Sequence, residues 1–184
     1  MLAGVETTRI IRGSPSEQLP SELPVAFNDN FNNGTPTVAP THILALSTGD
    51  KDKSNYTLFL IHQLPFAANC SAFPALPLSS TATPTGNRSS TATLPVVRAS
   101  IPSIEAFPLF QLYLYVKDPH ALRTAFLPPG WAHSIDSIVQ RAVLIKGFWS
   151  NASALRMLDD EMYDVVEECW AEVLRMLERA THLV

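Results

Sequence analysis

The sequence predicts an α+β fold, a small β-sheet of about three strands packed against a C-terminal helical half. Two kinds of pattern predict it. Short β-prone runs, HILALST and YTLFLIH, fall in the first half of the chain, whereas helical periodicity takes over after residue 103 and persists to the end. Apolar residues make up 46% and charged residues 16% of 184, which is enough to build a core and suits a single domain.

Residues 1–40 contain Pro15, Pro20, Pro24, Pro36 and Pro40 and the Asn-rich NDNFNNG at 28–34, with no sustained period, and read as a flexible arm. The folded domain is expected over 41–180. Within it, HILALST (42–48) and YTLFLIH (56–62) form a hairpin across GDKDKSN, where Lys and Asp alternate and cancel as a solvated turn does. LPFAANCSAF (64–73) reads as one short helix with Pro65 in its first turn. The stretch 78–93, LSSTATPTGNRSSTAT, offers no apolar anchor to offset the entropy of ordering, so a disordered insert is expected. LPVVRAS (94–100) is the third strand.

SIEAFPLFQLYLY (103–115) is apolar on most faces and reads as a buried helix, with Pro108 near its start. Asp118 caps a short helix opened by Pro119 and stopped by Pro128, Pro129 and Gly130. Ser134 caps the next, whose Ile135, Ile138, Val139, Ala142, Val143 and Ile145 or Lys146 follow the helical step until Gly147; NASALRM then forms a further short helix. Asp159 caps the last helix. Its apolar stripe runs through Met162, Val165, Val166, Cys169, Val173, Met176 and Leu177, with the acidic residues gathered in its first half as the helix dipole favours.

Several function classes find no support in the residues. Thirteen basic against seventeen acidic side chains leave a net charge of −4 without a basic cluster, so no nucleic-acid partner is expected. LFLIHQLPFAA (58–68), one of the longest apolar stretches, falls short of the roughly 20 residues of a spanning helix, so no membrane partner is expected either. Cys70 and Cys169 have no second Cys or His at ligand spacing and read as free thiols; no metal or cofactor is expected. No Gly-rich phosphate loop, nucleophile elbow or H-E-x-x-H occurs. Five glycosylation triplets, at Asn33, Asn55, Asn69, Asn87 and Asn151, read as chance in a Ser/Thr-rich chain that opens without a signal peptide. An intracellular address, cytoplasmic, nuclear or both, is expected. Trp131, Trp149 and Trp170 lack interleaved basic residues and read as core.

The segment LPVVRASIPSIEAFPLFQLYLYVKDPHALRTAFLPPG (94–130) resembles the clampless family of mushroom-forming and related fungi, with an apolar strand, a Pro, a Phe-Pro-Leu helix start and a Tyr-Leu-Tyr helix end. GFWSNASALRMLDDEMYDVVEECWAEVLRML (147–177) is similar to the helical part that follows, and the likeness runs over roughly 41–180. The resemblance implies a non-enzymatic regulator of sexual development, acting downstream of mating-type genes in clamp-cell formation. The element order is more remotely similar to a BTB/POZ domain, which implies an adaptor bringing a partner to a ubiquitin ligase. A small enzyme using Cys70 or His62 is the third reading, and it requires perturbed groups converging in a pocket. For either contact-based reading the partners are proteins, self-association included. The candidate interaction surface is Glu161, Asp164, Glu168, Glu172 and Trp170 on the last helix.

Overall fold

The computed structural model describes residues 9–12, 19–28, 39–48, 55–77 and 89–182. Along the chain run strands β1 (Arg9–Arg12), β2 (Glu22–Asn28), β3 (His42–Ser47) and β4 (Asn55–Ile61), helix α1 (Gln63–Asn69), strand β5 (Ser89–Ser100), and helices α2 (Phe107–Val116), α3 (Pro119–Phe126), α4 (Ile135–Ala154) and α5 (Asp160–His182). The class is α+β, as the sequence predicts. The described strands number five instead of about three, in the order β1-β4-β3-β5-β2. The chain divides into two compact units, Met1–Leu64 with Pro74–Ser100 and Pro65–Phe73 with Ile101–Val184.

In the first unit β3 and β4 form the expected antiparallel hairpin, from His42 opposite Ile61 to Leu46 opposite Thr57. Its turn at 49–54 lies outside the described residues. β5 then serves two neighbours in succession. Its first part, Ser89 to Pro95, pairs antiparallel with β2, and Val96 to Ser100 pair parallel with Ile43 to Ser47 of β3. Residues 89–93, read from sequence as part of a disordered insert, are therefore strand; 78–88 lie outside the described residues. Likewise β1 and β2 fall inside the stretch read as an arm without strand period. Pro24 hid β2. A proline is tolerated there because β2 lies at the sheet edge, and Leu23 and Val25 alternate inward while Glu22, Pro24 and Ala26 stay exposed.

β3 lies inside the sheet and is buried on both faces, so it reads as an unbroken apolar run. Ile43 and Ala45 join Leu58 and Leu94 in a cluster that Leu23, Val25, Tyr56 and Val96 extend. His42 opens β3 fully buried. Its Nε2 lies 2.8 Å from the Pro77 carbonyl, an acceptor only, so Nε2 carries the hydrogen and donates; its Nδ1 pairs with the Thr41 hydroxyl at 2.9 Å. The same hydroxyl oxygen accepts the Gln63 N–H at 2.8 Å.

The second unit is helical. Ring contacts run without a break from Phe73 through Phe66, Phe107 and Phe110 to Phe148, which takes Phe126 edge-on at 5.1 Å and Tyr113 at 6.3 Å. The predicted caps are present: Asp118 accepts the Ala121 N–H at 3.0 Å, Ser134 the Ser137 N–H at 3.1 Å and Asp159 the Met162 N–H at 3.1 Å. α2 starts at Phe107, later than expected, and ends at Val116, capped by Lys117, which is left-handed at φ 51° and donates its N–H to the Tyr113 carbonyl.

α4 departs most from expectation. It runs through Gly147 to Ala154 as one helix, where the sequence reading stops at Gly147 and begins a second. A Cβ at Gly147 would stand 2.6 Å from Ser103 Oγ, so the glycine is there for close approach and not as a terminator. Of the apolar residues that follow the helical step, Ile138 and Ile145 are buried, but Ile135, Val139 and Val143 are exposed. Trp149, also read as core, is exposed, while Trp131 and Trp170 are half-buried. On α5, Met162, Val166, Cys169 and Val173 are buried, with Val165, Met176 and Leu177 half-buried beside them. No helix among the described residues is long and apolar enough to cross a membrane.

Candidate functional site

The sequence places its candidate surface on α5, and the helix geometry divides those five residues. Glu161 and Asp164 lie exposed in the first turns, next to Asp160, with Glu167 exposed one turn on. Glu168 and Glu172 are held otherwise. Arg123 of α3 forks onto both, Nη1 to Glu168 at 2.6 Å and Nη2 to Glu172 at 3.1 Å, which turns them toward the α3–α5 seam. Arg123 was not singled out from sequence. The signal was there in principle, since it sits in the last turn of a capped helix where a cation complements the dipole. Trp170 is half-buried and does not join the exposed acidic group as a projecting side chain. The outward acidic face of α5 is therefore Asp160, Glu161, Asp164, Glu167 and the far side of Glu168.

The start of α5 is fixed by a partly buried polar trio. Asp159 Oδ2 accepts Lys117 Nζ at 2.6 Å and the Tyr113 hydroxyl at 3.1 Å, while its Oδ1 caps Met162. Burial alone would raise the Asp159 carboxyl; the bonds from Lys117, the Met162 N–H and Tyr113 outweigh it and hold the group below the ordinary carboxylate value. Burial and then the Asp159 charge push the Tyr113 phenol well above its ordinary value. Lys117 also lies 5.4 Å from the centre of the Tyr113 ring. The trio is a locked cap that aims the first, acidic turn of α5.

The groups on which an enzyme reading would rest are placed as follows. Burial pushes the Cys70 thiol up to about 11, Lys117 offsetting only part of it. Burial likewise pushes Cys169 up to about 11 against the pull of Arg123. Both remain thiols at neutral pH, and the thiol is the unreactive form. His62 is half-buried, and His133 is exposed with Nδ1 3.0 Å from the Gly130 carbonyl. Among the described residues no three His, Cys, Asp or Glu gather at metal-binding distance. The first unit carries a cleft of about 650 Å³ lined by Leu19, Pro20, Ser21, Pro77, Val96 and Arg98, whose guanidinium donates to the Leu19 carbonyl.

Residues 1–102 match the family model described as the Clampless protein 1 N-terminal domain. The match ends within two residues of the boundary at Ser100, so it coincides with the strand-bearing unit and the α1 excursion inside it. It includes the N-terminal stretch read as an arm and stops before most of the helical segments on which the resemblance was drawn. No curated protein and no solved structure matches the chain, and the likeness to a BTB/POZ domain finds no support in the comparisons.

Proposed function

We propose, for a chain that belongs to the clampless family, a non-enzymatic regulator of fungal sexual development that acts through protein contacts in clamp-cell formation, downstream of mating-type genes. The observation that carries the contact mechanism is the outward acidic face of α5, with Asp160, Glu161, Asp164 and Glu167 exposed on a helix whose start is locked by Asp159. A preset row of carboxylates suits a basic segment of a partner protein and steers its approach. Both thiols protonated and buried support a role without chemistry of its own, with no cofactor. The chain works inside the cell on this reading, in the cytoplasm, the nucleus or both.

The test is co-purification from dikaryotic hyphae of the full chain and of a Glu161→Lys, Asp164→Lys variant. Both positions are exposed, so the fold should survive, with a stability loss of about 1 kcal/mol from two cations at the start of α5. The wild type should retain a partner with a basic segment and the variant should lose it. The same partners on both proteins would contradict the reading.

A further inference from the structure

We propose that the outward face of α4 is an antiparallel, twofold interface at which two copies of this chain pair. Ile135, Val139 and Val143 recur one turn apart, and all three are exposed, Val143 to 65%. Trp149 is also exposed, at 49%, but sits about 120° round the helix from Val143. The opposite side of the same helix, with Ile138, Ile145 and Phe148, is buried in the core. A helix that is apolar on both sides is suited to being covered on both, and contiguous exposed apolar surface marks an interaction site.

The charges on α4 say what covers the outer side. The helix has three, Asp136, Arg141 and Lys146. Arg141 is half-buried with its Nε enclosed, whereas Asp136 and Lys146 are exposed. In a twofold antiparallel helix pair, the two positions that face each other always lie equally far on either side of the axis. An axis at residue 141 sets Asp136 against the partner's Lys146, and the same register sets Val139 against the partner's Val143. Each pairing occurs twice, so the valine contacts are flanked by two opposite-charge pairs and no like charges meet. Ile135 then lies at the end of the valine contacts, level with the partner's Gly147, which is buried in its own helical unit. A parallel pairing in register would instead oppose Asp136 to Asp136 and Lys146 to Lys146. This self-complementarity commits the face to a second copy, and the inference does not rest on the developmental reading.

Light scattering and sedimentation of the full chain over a concentration series test it. The wild type should reach twice its 20.2 kDa mass, and Val143→Asp should return it to the single-chain mass while still unfolding in one cooperative transition, at a melting temperature that no longer depends on concentration. Asp136→Lys alone and Lys146→Asp alone should each weaken pairing by about tenfold, through two like-charge oppositions. Combined, the two reversals should restore it. A wild type that stays at 20.2 kDa up to high micromolar concentration, a dimer that survives Val143→Asp, or a double reversal no tighter than the singles would each overturn the proposal.

Discussion

Asn151 holds Ser103 by both groups of its backbone: its Oδ1 accepts the Ser103 N–H at 2.9 Å and its Nδ2 donates to the Ser103 carbonyl at 2.6 Å. The side chain is fully buried in the second half of α4, and the segment it grips leads directly into α2. The amide thus does for residue 103 what a neighbouring strand would do, satisfying donor and acceptor together.

Asn151→Leu keeps the volume and removes both bonds. Leaving a donor and an acceptor unpaired costs about 1–3 kcal/mol each when they are sealed from water. Ser103 is only half-buried, so we expect a loss toward the lower end, about 2 kcal/mol, read as a shifted denaturant midpoint at constant slope. The same burial closes the Asn151 glycosylation triplet to modification in the folded chain.

Gly147→Ala should destabilise although alanine is the better helix former by about 1 kcal/mol. The new Cβ would meet Ser103 Oγ at 2.6 Å, Ser103 Cβ at 2.9 Å and Ala106 Cβ at 3.1 Å. We expect a net loss of about 1–3 kcal/mol. Adding Ser103→Gly removes the two nearest atoms and should recover part of it, a coupling readable in a double-mutant cycle.

Alkali should destabilise the chain through its thiols first and, above about pH 10, through the raised Tyr113 phenol as well. Both thiols have folded values raised from 9.0 to about 11, so their contribution is complete below pH 9.0 and is lost as pH rises through about 11. Unfolding midpoints should fall across that window. At neutral pH, a maleimide should label Cys70 and Cys169 only at the rate of opening; fast labelling of the native protein would contradict their burial.

Acid acts on Asp159 with the opposite sign. Its carboxyl is depressed when folded, so the stabilisation is present above the ordinary value of about 3.8 and is lost as pH falls through the lower folded value. Asp159→Asn should therefore be less stable than wild type at neutral pH, and the gap should narrow below pH 4. A gap that does not change with pH would mean that the carboxylate charge contributes nothing to the cap.

Capping and apolar runs made much of this structure legible in the sequence. Asp118, Ser134 and Asp159 each cap the helix that the sequence assigns them, and the HILALST and YTLFLIH runs pair as a hairpin. What local pattern could not supply was long-range pairing. β2 and residues 89–93 pair with each other across the intervening chain; Pro24 masks the first and the second, SSTAT, has no large apolar side chain to announce it. Gly147 misled for a related reason: whether a glycine ends a helix or admits a neighbour depends on Ser103, far away in sequence. On the candidate surface, α5 was legible as acidic, but the claim of Arg123 on Glu168 and Glu172 needed the packing of α3 to appear. The outward turn of Ile135, Val139 and Val143 was hidden because α4 is apolar on both sides, so its period does not say which side is core.

Complementation in a fungal strain lacking the gene for this chain, scored as clamp cells on mated hyphae, separates a role through contacts from a role through chemistry. The wild-type chain should restore them, as should a variant with both Cys70 and Cys169 changed to Ala, since no chemistry is assigned to either thiol. Glu161→Lys with Asp164→Lys, expressed at the same level, should not. Restoration by the charge-reversed chain, or failure of the folded thiol-free chain, would contradict a regulator that works through the acidic face of α5.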